Sequence, residues 1–168
     1  MLVLVSGPPG AGKTTLARPL AQALALPLIA KDVIKEALAL VLPPADVDES
    51  RRLGAATYEV MFALARDAGP AVLESNFNRV AGARIAELCP RPIEVFCRCP
   101  SAEVIRRYEA RIGDRTSAHF DAERIEELRA RLEAENEPLG LGGPVLEVDT
   151  TRPVDVAEVA AWVARARD

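Results

Sequence analysis

The 168-residue sequence predicts an α/β fold in which helices flank a five-stranded parallel sheet. Short apolar runs alternate with longer stretches of helical periodicity, the pattern of parallel strands joined by right-handed crossover helices. The first run leads through a glycine-rich segment directly into a helical stretch. The length fits a single domain, residues 1–168, whose core needs neither disulfides nor a metal.

Each predicted strand is followed by one or two predicted helices. The strands are short apolar runs at Leu2–Ser6, Leu28–Ala30, Ala71–Glu74, Pro92–Cys99 and Val145–Val148. The helices are predicted at residues 12–25, 33–42, 49–67, 80–88, 103–112, 121–136 and 154–167. Asp32, Ser101 and Asp121 stand where helix N-caps are expected. Ligands of such sheets lie at the carboxyl ends of the strands, so the residues after each run are candidates for function.

Composition excludes several classes of protein. With 49% hydrophobic and 27% charged residues, the chain is too apolar to be disordered. Its net charge of −4 argues against broad binding to nucleic acid or anionic membranes. We expect no membrane span and no signal peptide, because the apolar runs are short and the N-terminus lacks a basic region. Cys89, Cys97 and Cys99 have no CxxC spacing and are expected to be free thiols in a cytoplasmic protein.

A phosphate-binding loop is the strongest signal in the sequence. Residues 7–14 match GxxxxGK[ST] at every fixed position, after a strand and at the start of a helix. Glycines let successive amides surround a phosphate, and the helix dipole adds to the attraction. Lys13 is expected between the β- and γ-phosphates, and the Thr14 hydroxyl on Mg²⁺. The predicted nucleotide ligands are Gly7, Pro8, Pro9, Gly10, Ala11, Gly12, Lys13, Thr14 and Thr15.

Other motifs narrow the kind of nucleotide-binding protein. Neither the DxxG nor the NKxD string of GTPases occurs, and 168 residues are too few for a large AAA-type machine. Arginines after the fourth predicted strand favour a kinase with a lid that closes over its substrates.

The order and spacing of five segments resemble the small P-loop kinases. These segments are GPPGAGKTTLARPLA, LPLIAKDVIKEAL, AVLESNFNR, CRCPSAEVIRRYEARIGDR and VLEVDTTRPVDV. The chain is similar to the AAA_33-like branch with polynucleotide 5′-kinases, chloramphenicol phosphotransferase, zeta toxins and gluconate kinase. The resemblance implies a three-layer P-loop NTPase fold with a small helical lid at about residues 107–120. It also implies ATP- and Mg²⁺-dependent transfer of the γ-phosphate to a hydroxyl of a small molecule.

Two carboxylates after predicted strands are candidates for the chemistry. Asp32, 19 residues after Lys13, resembles the general base that accepts the proton of the attacking hydroxyl. A helix N-cap is the alternative role, and the two are compatible. Glu74 stands where the family usually has the aspartate that holds the metal or its water. The longer side chain can reach Mg²⁺ through a water, and a substrate contact or a structural role is the alternative.

Three further residues are candidate substrate ligands. Polynucleotide kinases carry DxxR where this chain has lysine, Lys35, at the last position. Lysine is a poorer bidentate phosphate ligand than arginine, so a nucleic-acid 5′ end is possible but not the favoured acceptor. Asn76 and Arg79 follow the third predicted strand and could contact a polar acceptor, although Arg79 also fits a surface position at a helix start.

The predicted lid carries three arginines. Arg107, Arg111 and Arg115 are spaced four apart, which places them on one helical face. Like charges at this spacing repel, so an anion is expected nearby: triphosphate, or the carboxylate of Glu103. The segment resembles the arginine-bearing lid of these kinases, which implies that at least one of the three touches phosphate. Arg111 and Arg115 are the candidates for catalysis and Arg107 for nucleotide binding, and the sequence does not say which of them makes the contact.

Two other positions have open interpretations. Residues 149–151, with Thr150 at their centre, resemble the loop that lies beside the adenine in these kinases, and a turn with an N-cap before Pro153 is the alternative. His119, the single histidine, fits either a polar packing residue or a substrate contact.

A small-molecule kinase is the preferred interpretation of the whole sequence. A polynucleotide or nucleoside 5′-hydroxyl kinase, a toxin-type kinase and a non-catalytic nucleotide-binding regulator remain alternatives. Acceptor-stimulated release of ADP distinguishes the kinases from the regulator.

Overall fold

In the computed structural model, which describes residues 1–112, 117–134 and 136–167, five parallel strands form one sheet. In chain order they are β1 (Leu2–Ser6), β2 (Leu28–Ala30), β3 (Ala71–Glu74), β4 (Ile93–Arg98) and β5 (Val145–Asp149). Their order across the sheet is β2-β3-β1-β4-β5. β1 therefore lies in the centre, between β3 and β4. The loop after β1 leads to a helix on one face of the sheet, and the loop after β3 leads to a helix on the other face. Such a switch point opens a crevice at the carboxyl ends of the strands.

The described parts of the chain form seven α-helices, and six of them pack on the two faces of the sheet. The seven are α1 (Lys13–Ala23), α2 (Lys31–Ala39), α3 (Val47–Ala68), α4 (Arg79–Leu88), α5 (Ser101–Glu109), α6 (Ile125–Ala134) and α7 (Val156–Ala166). One buried apolar core joins the sheet to α1, α5, α6 and α7, and a second joins it to α3 and α4. Alternate residues of β1 serve the two cores, with Val3 and Val5 in the first and Leu2 and Leu4 in the second. The predicted three-layer P-loop NTPase fold is confirmed.

The starts of three helices differ from the sequence prediction. Helix α2 begins at Lys31, so Asp32 lies in its first turn and is not the N-cap. Helix α5 begins at Ser101 itself, after Pro100. Asp121 precedes α6 by four residues and instead accepts a hydrogen bond from the Tyr108 hydroxyl at 2.8 Å. In each case a residue type that favours caps stands near a helix start, but the hydrogen-bonded start is set by neighbouring residues.

A carboxylate in the middle of β4 is buried. Glu94 is 2% exposed and accepts hydrogen bonds from the Ser6 hydroxyl at 2.6 Å and from the backbone amides of Leu139 and Gly140 at 3.0 and 3.1 Å. A buried carboxylate needs such donors, because its desolvation is otherwise too costly. Glu94 thus ties the segment after α6 to the strand that leads into the phosphate-binding loop.

The cysteines agree with the sequence prediction. Cys97 and Cys99 are buried, Cys89 is partly buried, and all three are free thiols. None of the helices in the described parts of the chain has the length and apolar character needed to cross a membrane.

Candidate active site

The loop between β1 and α1 has the backbone that its glycines predict. Gly7, Gly10 and Gly12 have φ of 136°, 90° and 81°, a region that L-residues with side chains rarely adopt. A Cβ on Gly7 would lie 2.8 Å from the carbonyl oxygen of Cys97, and one on Gly10 would lie 2.9 Å from that of Val104. The loop is therefore both turned and packed closely against neighbouring backbone, so glycine is required at these positions.

Lys13 places its ammonium group across this loop and among charged neighbours. Its Nζ donates a hydrogen bond to the carbonyl oxygen of Pro8 at 2.9 Å. Burial lowers the pKa of Lys13, while the negative charges of Glu74 and Asp32 raise it and the positive charge of Arg111 lowers it further. These four charged groups come from four different segments, and the fold brings them together at the carboxyl ends of β1 to β3.

The residues predicted to hold a metal are in contact with each other. The Thr14 hydroxyl donates a hydrogen bond to Oε2 of Glu74 at 3.2 Å, and Glu74 is 3% exposed at the end of β3. A hydroxyl and a carboxylate are hard oxygen ligands that suit Mg²⁺, which otherwise takes water and phosphate oxygens. Within the described ranges no cluster of three His, Cys, Asp or Glu side chains forms a complete metal cage. The pair therefore fits a magnesium ion that is shared with a bound nucleotide.

A cavity of about 180 Å³ lies above these residues, and we call it the phosphate cavity. Most of the predicted site residues line it: Pro9, Gly10, Gly12, Lys13, Thr14, Thr15, Asp32, Lys35, Glu74, Asn76 and Arg111. Gly7 and Pro8 line an adjoining cavity on the Glu94 side, and Ala11 is fully buried in the loop. Arg79 is exposed at the start of α4 and lines none of these cavities. The fold thus assembles the predicted nucleotide and catalytic residues but leaves Arg79 apart from them.

Arg107 and Thr150 lie together at the other side of the loop. They line a cavity of about 170 Å³ with Gly12 and Thr15. Both terminal nitrogens of Arg107 donate to the carbonyl oxygen of Thr150 at 3.1 Å, and its Nε donates to Glu103 at 2.7 Å. The guanidinium groups of Arg106 and Arg107 lower the pKa of Glu103 to about 2. Glu103 therefore balances the positive charge of Arg107. The sequence predicted either this carboxylate or a triphosphate in that role.

The three lid arginines were predicted to lie on one face of a helix, but the helix is too short to include them all. Helix α5 ends at Glu109, so Arg107 lies in the helix while Arg111 lies in the turn that follows. Arg107 is directed to Thr150 and Arg111 to the phosphate cavity. Arg115 lies outside the described residues.

A chain of contacts connects α2 and α3 to residues 117–119. Lys35, 3% exposed, donates from Nζ to the Ser50 hydroxyl at 2.7 Å, which in turn donates to the carbonyl oxygen of Ala118 at 2.6 Å. His119 Nε2 lies 3.0 Å from Oε1 of Glu36, and His119 is 6% exposed and lines the phosphate cavity. Lys35 and His119 thus have packing roles that position the cavity wall, whatever else they contact.

A second chamber of about 420 Å³ opens beside the phosphate cavity. The two cavities share six lining residues: Lys31, Lys35, Asn76, Arg124, Glu127 and Arg131. The side chains of Tyr58 and Phe62 form one wall, with their ring centroids 5.7 Å apart in a stacked arrangement. The chamber therefore offers an aromatic surface directly beside the place where the phosphate-binding residues meet.

Sequence analysis missed the contribution of α6. Arg124, which directly precedes α6, lines both cavities together with Glu127 and Arg131 on α6, although this stretch was predicted only as a helix. Their spacing of three and four residues places them on one face, next to the buried Leu128. This spacing was the only available signal, and it does not distinguish a cavity wall from a solvated helix face.

The fold and the phosphate-binding loop define this chain as a P-loop nucleotide-binding protein of the small-kinase type. The chain belongs to the AAA_33 family, described as an AAA domain, which matches residues 2–135.

Similar solved structures agree with this assignment. A provisionally assigned kinase of Chloroflexus aurantiacus J-10-fl is 32% identical, with 98% of this chain and 97% of that chain covered and a TM-score of 0.84. A gluconokinase of Sinorhizobium meliloti 1021 is 20% identical over 98% and 89% of the two chains, with a TM-score of 0.58. A shikimate kinase of Acinetobacter baumannii is 19% identical over 98% and 90%, with a TM-score of 0.60. The gluconokinase and the shikimate kinase share the fold of this chain. No curated protein matches the sequence significantly.

Proposed function

We propose that the protein is a kinase that transfers the γ-phosphate of ATP to a hydroxyl group of a small molecule. The observation that carries the proposal is the junction of two cavities. The phosphate cavity holds Lys13, Thr14 and Asp32, and it continues into a chamber large enough for a small organic molecule. An acceptor in that chamber lies beside the γ-phosphate position, which is the arrangement that direct transfer needs.

Each charged residue of the phosphate cavity has a role in this reaction. The acceptor oxygen forms a bond to the γ-phosphorus, the bond from that phosphorus to the bridging oxygen breaks, and ADP leaves. Asp32 accepts the proton of the acceptor hydroxyl. Lys13 and Arg111 stabilise the negative charge on the phosphoryl oxygens and on ADP. Thr14 and Glu74 would hold Mg²⁺, which neutralises charge on the β- and γ-phosphates.

The position of Asp32 supports its assignment as the base. Because α2 begins at Lys31, the carboxylate is not engaged as the N-cap that the alternative interpretation required. It lines the phosphate cavity and is close enough to Lys13 to affect its pKa. Both facts support the proposal that Asp32 meets the acceptor hydroxyl near the γ-phosphate.

The lid and the adenine side complete the proposal. We assign residues 107–120 as the lid, with Arg111 and Arg115 brought to the phosphates on closure and Arg107 fixing the loop at Thr150. The cavity beside Thr150 is the proposed adenine pocket. Two structural neighbours are kinases of gluconate and shikimate by name, which supports a small hydroxylated acceptor. The free cysteines support a cytoplasmic location.

The test is acceptor-stimulated release of ADP. Purified protein with Mg·ATP is assayed against sugars, hydroxy acids, nucleosides, aminoglycoside and phenicol antibiotics, and 5′-hydroxyl oligonucleotides. We expect at least one small hydroxylated compound to raise ADP release well above the basal rate. Stimulation by oligonucleotides alone would favour the polynucleotide kinase, and a basal rate unchanged by all of them would favour a nucleotide-binding regulator.

A further inference from the structure

The second chamber has a charge imbalance that restricts what can bind there. Its lining residues include six bases: Lys31, Lys35, Arg51, Arg84, Arg124 and Arg131. Among the described residues, two acids line it, and both are already near arginines: Glu59 lies 3.5 Å from Arg84, and Glu127 lies 3.1 Å from Arg124. Both carboxylates are thus already paired with arginines, and basic residues outnumber acidic ones in the chamber wall.

Arg131 is the basic residue of the chamber whose positive charge is least balanced by nearby carboxylates. It lies on α6, is partly buried, and lines the phosphate cavity, the second chamber and the cavity on the Glu94 side. In the part of the chain that the structure describes, it makes no hydrogen bond or ion pair. Arg129, two residues earlier, instead faces away and pairs with Glu109 at 2.8 Å and with Glu126 at 3.4 Å. A partly buried guanidinium without a carboxylate partner is unfavourable unless an anion binds beside it.

The opposite wall of the chamber suits a compact carbon skeleton. Tyr58 stacks on Phe62, and Lys31 Nζ lies 4.5 Å from the centroid of the Tyr58 ring. Gly54 leaves open space there, because a Cβ at this position would meet only Lys31 Nζ, at 3.8 Å. Burial raises the pKa of Tyr58 to about 12. Its hydroxyl lies 3.0 Å from the Ser75 hydroxyl and 3.4 Å from the carbonyl oxygen of Asn76. The protein's own hydrogen bonds hold the Tyr58 hydroxyl, and the Tyr58 ring offers an aromatic surface to a ligand.

We infer that the acceptor carries an anionic group, a carboxylate or a phosphate, and that Arg131 binds this group in the second chamber. The anion lies at Arg131, the carbon skeleton lies against Tyr58, and the reacting hydroxyl points to the phosphate cavity. A planar guanidinium can bind either anion through two parallel hydrogen bonds. The role of the hydroxyl rests on the proposed kinase function, whereas recognition of the anion by Arg131 does not require turnover.

Ligand-observed NMR with matched pairs of compounds tests this inference without relying on catalysis. One arm pairs polyhydroxy carboxylic acids of six or seven carbons with their primary carboxamides, and a second pairs sugar monophosphates with the parent sugars. The alternative is that Arg131 binds the γ-phosphate of ATP and not the acceptor. The affinity of each protein variant for a non-hydrolysable Mg·ATP analogue tests this alternative. The protein variants are wild type, Arg131→Gln, and Arg129→Gln as the control on the same helix.

We expect anionic members of at least one arm to bind wild type, and their neutral counterparts to bind at least ten-fold more weakly. Arg131→Gln should weaken binding of the anions about 10- to 100-fold, the range of a charge-assisted hydrogen-bonded pair, with little change for Arg129→Gln. The arm that responds identifies carboxylate or phosphate. Equal binding of anionic and neutral members, or no binding of any anion, overturns the inference. The inference is also overturned if the Arg131→Gln variant no longer binds the ATP analogue but still binds the anionic compounds.

Failure of this inference and failure of the kinase proposal give different results. Anions that bind through Arg131 without being phosphorylated would leave the recognition site standing and contradict the kinase. Phosphorylation of neutral acceptors only would keep the kinase and contradict anion recognition.

Discussion

The hydroxyl of Thr14 donates a hydrogen bond across 3.2 Å to Oε2 of Glu74, joining the first residues of α1 to the end of β3. The two residues are 60 positions apart in sequence, and only the pairing of β1 with β3 brings them together. The contact shows that a glutamate at this position reaches the threonine of the phosphate-binding loop. It also brings together the two side chains that we propose as magnesium ligands.

Glu74→Gln tests this magnesium site. The amide keeps the size of the side chain but removes the charge that favours a divalent cation, so we expect turnover to fall about 10²-fold and the Mg²⁺ requirement to rise. ATP binding without Mg²⁺ should change little. Titration of activity with Mg²⁺ measures the effect, and Glu158→Gln on the exposed side of α7 is the control. An unchanged Mg²⁺ dependence in Glu74→Gln would remove Glu74 from the metal site.

Lys13→Ala tests the phosphate-binding loop. The ammonium group is held over the loop by the Pro8 carbonyl, so its loss removes a fixed positive charge from the phosphates. We expect turnover to fall by roughly 10² or more. The variant should stay folded, because burial already disfavours the charged side chain. Near-UV circular dichroism checks the fold, and wild-type turnover in this variant would refute the assignment of the loop.

Ser50→Ala tests the contacts that position one wall of the cavity. The Ser50 hydroxyl accepts from the buried Lys35 and donates to the Ala118 carbonyl, so its removal breaks two buried hydrogen bonds at once. We expect the free energy of unfolding to fall by about 1–3 kcal/mol in denaturant titration. The exposed Ser101→Ala should change it by no more than about 0.5 kcal/mol. Equal changes in the two variants would show that these contacts do not stabilise the fold.

Glu94→Gln tests the buried carboxylate of β4. Three donors point at its two oxygens, and an amide nitrogen in place of one oxygen would face a donor. We expect a loss of about 1–3 kcal/mol in the free energy of unfolding and faster hydrogen exchange at Leu139 and Gly140. Glu133→Gln, exposed on α6, is the control. A stability equal to that of the control would contradict a structural role for the carboxylate.

Much of the fold could be predicted because local patterns and tertiary structure agree. The five apolar runs became five strands, with bounds that differ by a residue or so, and the loop of residues 7–14 has the glycine backbone that its motif requires. These features depend on periodicity and on backbone conformation, which short stretches of sequence record directly. The positions of Asp32 and Glu74 followed from the rule that strand ends meet at one edge of the sheet.

The acceptor side could not be predicted in the same way. Its wall is built from α2, α3, α4 and α6, and the relative placement of helices depends on packing between distant segments. Arg131 looks like any exposed residue of an amphipathic helix until α6 is placed beside the phosphate-binding loop. Glu94 likewise gives no sign of its role, because its backbone partners, Leu139 and Gly140, lie 45 and 46 residues away.

Transfer of the labelled γ-phosphate of ATP, compared in wild type and Asp32→Asn, tests the kinase assignment most directly. The chromatographic readout separates phosphorylated acceptor from inorganic phosphate. We predict label in the acceptor for wild type. In Asp32→Asn, transfer should fall about 10²- to 10⁴-fold while nucleotide affinity stays within a few-fold, because Lys13, Thr14 and the loop amides still bind ATP. Label that appears only in inorganic phosphate, or full transfer by Asp32→Asn, would contradict this account.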